Sequence, residues 1–242
     1  MPTTLQRQAQ ALGLTLSQAD LDRFQRYYAY LAEASRRLNL TSVTDAEGVE
    51  RRHFLESLAL LSALYKAKVL ARGQEARVLD LGTGAGFPGL PLKIAHPRLH
   101  LWLLETQRRK TAFLEELLKV LDLEDVQIAA GRAEEFAHDH RHREAYDLVV
   151  ARAVAPLAVL VELALPFLRL GGHLATPKGS RAPQEMTESL RALRLLGGRI
   201  ETAVPLAAPG QAPVQTLVII RKFTRTAPMY PRRPGIPQKR PL

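Results

Sequence analysis

Asp80-Leu81-Gly82-Thr83-Gly84-Ala85-Gly86-Phe87-Pro88-Gly89 decides the fold of this chain. An apolar run over residues 76–79 meets an acid, Asp80. Gly82, Gly84 and Gly86 then alternate through one tight loop, and a helix-compatible run follows over 90–95. Without Cβ atoms in the way, backbone N–H groups of such a loop can closely approach a bound nucleotide. Pro88 suits a first helical turn, where no N–H is needed. The stretch reads as strand, cofactor loop and helix, with the ligand at the carboxyl end of a first strand.

Two cofactors compete for the loop. Gly82-x-Gly84-x-Gly86 behind Asp80 resembles the S-adenosylmethionine loop of Rossmann-like methyltransferases, whereas Gly84-x-Gly86-x-x-Gly89 matches the dinucleotide fingerprint. Position weakens the second match. The glycine that closely follows the strand is Gly82, and counted from it the third fingerprint position is Phe87. Glu105, ending the next predicted strand, is placed to accept hydrogen bonds from both ribose hydroxyls, which serves either cofactor.

Strand patterns fall at residues 77–80, 99–104, 126–129, 148–151, 173–176, 199–204 and 216–221, and helical stretches at 89–95, 108–121, 133–137, 156–168 and 183–195. Such alternation predicts a parallel sheet covered on both faces. Only a Pro- and Gly-rich loop joins the last two strands, so they should pair antiparallel. The expected fold is α/β: a class I Rossmann-like methyltransferase with a seven-stranded, mostly parallel, doubly wound sheet and an antiparallel final strand. Upstream, Ser17-x-x-Asp20 is a capping box for a helix carrying Leu21, Phe24, Tyr28 and Leu31. Thr44-x-x-Glu47 marks a second helix with Val49, Phe54, Leu58 and Leu61 on its core face. The expected division is a helical extension over 1–65, a methyltransferase domain over 66–225 and an arm over 226–242.

The chain contains no cysteine, which excludes disulfides, thiolate metal sites and cysteine nucleophiles. It has no apolar run of membrane-spanning length and no secretory pattern, which predicts a cytoplasmic protein without a membrane partner. Of the net +10, seven charges follow the last acid, Glu201: Arg221, Lys222, Arg225, Arg232, Arg233, Lys239 and Arg240. A basic end of this kind points to a polyanion, RNA before DNA. Pro228, Pro231, Pro234 and Pro237 recur at the three-residue period of polyproline II. The arm therefore reads as a semi-rigid strap for a phosphate backbone, whose removal should weaken RNA binding and spare cofactor binding. His138-Asp139-His140-x-His142 has the composition of a metal site but lies in a polar, charged stretch; a solvated loop and no metal are expected.

The fourth strand runs into Ala151-Arg152-Ala153-Val154-Ala155-Pro156, beside the position of a transferable methyl group. The Asn/Asp-Pro-Pro-aromatic set of exocyclic-amine methylases is missing here, and so is the cysteine that pyrimidine C5 methylation needs. Arg152 remains, a cation and donor. The acceptor should be an atom with its own free lone pair, and guanine N7 meets that requirement without a general base. No proton-transfer residue is nominated; Arg152 is the best candidate for a positioning role.

These residues make the chain resemble the ribosomal small-subunit methyltransferase G family, also called glucose-inhibited division protein B. The matching blocks are Asn39-Leu40-Thr41, His53 to Leu58, Asp80 to Pro91, Leu104 to Thr106 with Arg108-Arg109-Lys110, Gly131 to Glu135, Asp147 to Pro156, Pro177-Lys178-Gly179 and Tyr230 to Leu242. One departure is Glu56, where the family pattern has Asp. The resemblance implies S-adenosylmethionine as donor and N7 of one guanine in the 530 loop of 16S rRNA as acceptor. The substrate particle would be naked rRNA or the 30S subunit. It further implies cofactor contacts at Gly82, Phe87, Glu105, Thr106, Gln107, Ala133, Glu134 and Arg152, to which the loop reading adds Asp80, Gly84 and Gly86. Asn39, His53, Lys178, Arg232, Arg233, Lys239 and Arg240 are the expected RNA contacts, and a monomer is expected.

Overall fold

Successive residues of the central strands point to opposite faces, and the core divides accordingly. Val78, Leu217 and Ile219 join one apolar cluster, whereas Leu79, Val218 and Ile220 join the other. The computed structural model describes residues 3–38, 40–210 and 215–242, so Asn39 lies outside the described residues. The strands are β1 Ala76–Leu81, β2 Leu99–Glu105, β3 Val126–Ala130, β4 Tyr146–Val150, β5 Leu168–Lys178, β6 Gly198–Leu206 and β7 Gln215–Lys222. They form a seven-stranded sheet in the order β3-β2-β1-β4-β5-β7-β6. Neighbours from β3 through β5 pair parallel, and β7 is antiparallel to both β5 and β6. The expected sheet is therefore the observed one.

The helices are α1 Thr4–Ala11, α2 Gln18–Leu38, α3 Ala46–Val49, α4 Glu56–Lys66, α5 Gly89–Ala95, α6 Arg108–Leu121, α7 Ala133–Phe136, α8 Leu157–Ala164, α9 Ala182–Glu188, α10 Leu190–Leu196 and α11 Ile236–Lys239. The first cluster runs without interruption from α1 and α2 through α4 and α5 onto the sheet, so the amino-terminal helices share its core. No helix among the described residues is long and apolar enough to cross a membrane.

Local chemistry explains how the amino-terminal helices start and stop. The capping box closes in both directions: Asp20 N donates to Ser17 Oγ at 3.2 Å and Ser17 N donates to Asp20 Oδ2 at 2.9 Å. Tyr27, rather than the expected Tyr28, is fully buried on this helix. Arg26 Nη1 and Arg23 Nε donate to Val120 O and Leu121 O at 2.7 and 3.2 Å, satisfying the carboxyl-terminal carbonyls of α6. The second start signal is displaced by one residue: Asp45, not Thr44, caps α3 by accepting from Gly48 N at 2.7 Å.

Between α3 and α4 the helix widens into a π-helical turn, Glu50–Leu55. Val49 and Phe54 are both buried although five residues apart, a spacing that would rotate one of them off an α-helical face. The i→i+5 repeat of a π turn restores both to the core.

Strand order reverses between β1 and β4, opening a crevice at their carboxyl ends. Asp80 is in register with Leu103 of β2 and Val150 of β4. The loops after β1, β2 and β4 consequently emerge side by side.

Candidate active site

Asp80 organises the glycine loop from below. Its Oδ2 accepts from Thr83 Oγ1 at 2.6 Å and from Gly89 N at 2.8 Å, stapling the two ends of the loop. The carboxylate is fully buried, and burial raises its pKa to about 6. Its other oxygen, Oδ1, is buried with no hydrogen-bond partner among the described residues. Pro88 sits one residue earlier than expected, as the cap before α5.

The glycines serve different purposes. At Gly82 (φ +70°) a Cβ would meet Val154 Cγ2 at 2.8 Å, so close packing against the loop after β4 requires glycine there. At Gly84 (φ +61°) a Cβ would meet nothing within 4 Å; only the left-handed backbone requires it.

Glu105 is buried and secures two loops at once. Oε1 accepts from Thr106 N and Gln107 N at 2.8 and 2.9 Å, and Oε2 accepts from Gly84 N at 3.1 Å. A carboxylate oxygen takes two hydrogen bonds, so Oε2 keeps acceptor capacity for a sugar hydroxyl. Glu105 lines a cavity of about 310 Å³ with Gly82, Thr106, Ala133 and Glu134. Leu104, Val154, Val159 and Leu163 add apolar walls suited to a purine ring. Asp80, Gly84, Gly86, Phe87, Gln107 and Arg152 are not part of this wall. A larger cavity of about 560 Å³, between Ala59 and Val204, contains none of the expected residues.

Phe87 leaves the loop for an aromatic stack. Tyr27 lies against it at 5.1 Å between ring centroids and His53 at 4.7 Å, and Arg152 stands 5.5 Å from the ring centre. Tyr27 also donates its hydroxyl to Ala85 O at 2.6 Å, holding the middle of the glycine loop. Arg152 Nη1 donates to Arg52 O at 3.0 Å and to Glu56 Oε2 at 3.2 Å, and Nη2 lies 3.2 Å from His53 Nδ1. Nδ1 also lies 3.1 Å from Arg52 O, and Nε2 lies 2.8 Å from Thr41 Oγ1, so the ring is held at both nitrogens. Burial, then the charge of Arg152, lowers the His53 pKa to about 4, and the ring is neutral at pH 7. The π-helical turn supplies Arg52 and His53 to this network.

The remaining expected RNA residues occupy different settings. Lys178 is buried; Nζ donates to Ala155 O at 2.6 Å and pairs with Glu185 at 3.0 Å, bracing the loop after β4. Arg232 pairs through Nη2 with the fully buried Glu162 at 2.6 Å. Arg233, Lys239 and Arg240 are exposed. The arm is therefore not an extended polyproline strap: it turns back on the body and ends in α11. In the histidine-rich stretch, Asp139 binds Arg141 at 2.6 Å, and His142 Nδ1 lies 2.6 Å from Tyr146 Oη.

Sequence reading missed Tyr27, Glu56 as a partner of Arg152, and the arm residues that reach the cavity. Glu162 carried a signal: it is the only acid in the apolar run Leu157–Ala164, and a carboxylate buried there needs a cation.

The orphaned Asp80 Oδ1, the remaining acceptor capacity of Glu105 and the apolar walls fit a cationic nucleoside such as S-adenosylmethionine. Comparisons with known proteins agree. Residues 20–212 match the family described as rRNA small subunit methyltransferase G. The ribosomal RNA small subunit methyltransferase G of Roseiflexus castenholzii is 46% identical over 98% of both chains, and that of Pelotomaculum thermopropionicum is 42% identical over 99% of this chain and 98% of its own. In fold, the chain is similar to a predicted O-methyltransferase from Agrobacterium tumefaciens (TM-score 0.53, 20% identity, 72% of this chain and 82% of that one). Methanococcus jannaschii TYW2 in complex with AdoMet is also similar (TM-score 0.50, 17% identity, 69% and 76% covered). The chain belongs to the rRNA small subunit methyltransferase G family.

Proposed function

We propose that this protein methylates N7 of one guanine in the 530 loop of 16S rRNA, by in-line displacement without a covalent intermediate. The observation that supports this most is that, among the described residues, the network beside the cofactor loop holds no free base: its carboxylate, Glu56, is paired with Arg152 at 3.2 Å. Arg152 is a permanent cation, His53 has its pKa lowered to about 4, and the chain has no cysteine. An acceptor that must lose a proton, or that needs a covalent adduct, finds no help there. Guanine N7 needs none, because it has a free lone pair at neutral pH.

S-adenosylmethionine, when bound, supplies a methyl group on a sulfonium centre. The N7–carbon bond forms as the carbon–sulfur bond breaks, and positive charge passes to the purine. Glu105 would hold the ribose, the apolar walls would hold the adenine, and Asp80 would complement the cationic end. What the chain contributes is alignment and exclusion of water, which can be worth about 7–11 kcal/mol. Exposed Arg233, Lys239 and Arg240 would meet RNA phosphates, and His53 and Arg152 the guanine side of the site.

The test is tritium transfer from labelled S-adenosylmethionine to 30S subunits and to naked 16S rRNA lacking the modification, followed by nucleoside analysis. Label in 7-methylguanosine is expected. Label in another nucleoside would overturn the N7 acceptor, and no label in either RNA would overturn 16S rRNA as substrate.

A further inference from the structure

The cavity that holds Glu105 has a third wall from the far end of the chain: Gly235, Pro237 and Gln238 line it opposite the loops of β1 and β2. These residues belong to the basic, proline-rich segment whose composition suggested only a phosphate strap. Their placement is secured by charge-assisted contacts to the body. Arg232 Nε and Nη2 grip the two oxygens of Glu162 at 2.8 and 2.6 Å, and Arg232 N donates to Glu162 Oε1 at 2.9 Å. Gly235 N donates to Glu134 Oε1 at 3.0 Å, so a residue expected to contact cofactor also tethers the segment. Arg143 donates to Tyr230 O and Thr226 O, both at 2.9 Å, fixing where the segment begins.

Two features separate this from a tail that merely folds back. First, Glu162 is fully buried, so its charge demands the Arg232 fork, and the segment is pinned by a group that cannot turn to solvent. Second, the pinned residues meet the cavity rather than the outer surface: Pro237 is buried, and Gln238 lies on both the cavity wall and the solvent side. A nucleoside seated against Glu105 would thus be enclosed by residues on β1 and β2 loops, on α8 and on this terminal segment.

We propose that residues 228–242 form a wall of the S-adenosylmethionine cleft and set its affinity for the cofactor and for the demethylated product. This rests on the reading of the Glu105 cavity as the cofactor site. It reverses the sequence-based expectation that the segment is dispensable for cofactor binding.

The experiment measures S-adenosylhomocysteine binding calorimetrically on the full-length wild type, on E105A and on Q238W, with hydrogen exchange of residues 235–240 with and without ligand. Gln238 is exposed, so a tryptophan there is compatible with folding, which a thermal melt checks. Expected results are at least tenfold weaker binding for both variants and slowed exchange of the terminal amides on ligand addition. If E105A loses affinity while Q238W binds as wild type and exchange is unchanged, the cavity is the cofactor site but the segment is not its wall, and the proposal fails. If E105A binds as wild type, the cavity reading itself fails and the proposal falls with it.

Discussion

Arg152 and Glu56 meet at 3.2 Å across 96 residues of sequence, joining the loop after β4 to the first turn of α4. Both side chains are mostly covered, at 16% and 20% exposure. Glu56→Gln keeps the shape and removes the charge. We expect a loss of about 1.5–3 kcal/mol, the range for hydrogen bonds to charged groups, read from denaturant unfolding. Arg152→Met should act on His53 as well: with the neighbouring cation gone, its pKa rises from about 4 towards the ordinary 6.5. Ring resonances titrating unchanged near 4 would show that burial alone sets the value.

Asp80 predicts a pH dependence of cofactor binding. Its pKa in the folded chain, about 6, lies above the ordinary 3.8 because burial disfavours the charge. Ionising it therefore opposes folding; the penalty is absent below about 3.8 and complete above about 6. A cationic ligand reverses the preference, since it favours the ionised form. Affinity for S-adenosylmethionine should fall as pH drops through about 6, by at most about tenfold per pH unit. Asp80→Asn should flatten this profile, bind weakly throughout, and melt within a few degrees of wild type. A profile of the same shape in the variant would assign the titration elsewhere.

The two loop glycines should fail for separable reasons. Gly82→Ala drives its Cβ into Val154, and Val154→Ala should restore part of the lost cofactor affinity. Gly84→Ala meets no neighbour, only the left-handed backbone cost of about 1–2 kcal/mol, and Val154→Ala should do nothing for it. Equal rescue of both would contradict the packing account.

Salt dependence should sort the basic residues. Replacing Arg233, Lys239 and Arg240 together with Gln should lower the slope of log K against log salt by about two, at roughly 0.7 per single-strand phosphate contact. Lys178→Met should leave the slope alone and lower stability, because its ammonium is committed to Ala155 O and Glu185. A shallower slope for Lys178→Met would place that ammonium on RNA.

What could be read in advance divides by distance along the chain. The sheet was legible because each strand is a short apolar run and each crossover a helical period, both local signals. The glycine loop was legible for the same reason. The network of His53, Arg152 and Glu56 was not, since Arg152 lies nearly a hundred residues from the other two and no spacing rule connects it to them. In the arm, a local signal misled: the three-residue proline period was real, but Arg232 finds Glu162, 70 residues away, and that pairing overrides the extended form.

The π-helical turn makes the site depend on a count. α4 is fixed by the core it packs into, with Leu58, Leu60, Leu61 and Leu64 all buried. Deleting Glu50 or Arg51 would leave a continuous, better-formed α-helix, with both apolar anchors still on one face. The Arg52 carbonyl and the His53 ring, however, which the wide turn presents to Arg152, would be re-aimed. Stability and alignment would then part company: the shorter helix is the more regular one, and the length that the site requires is the irregular one.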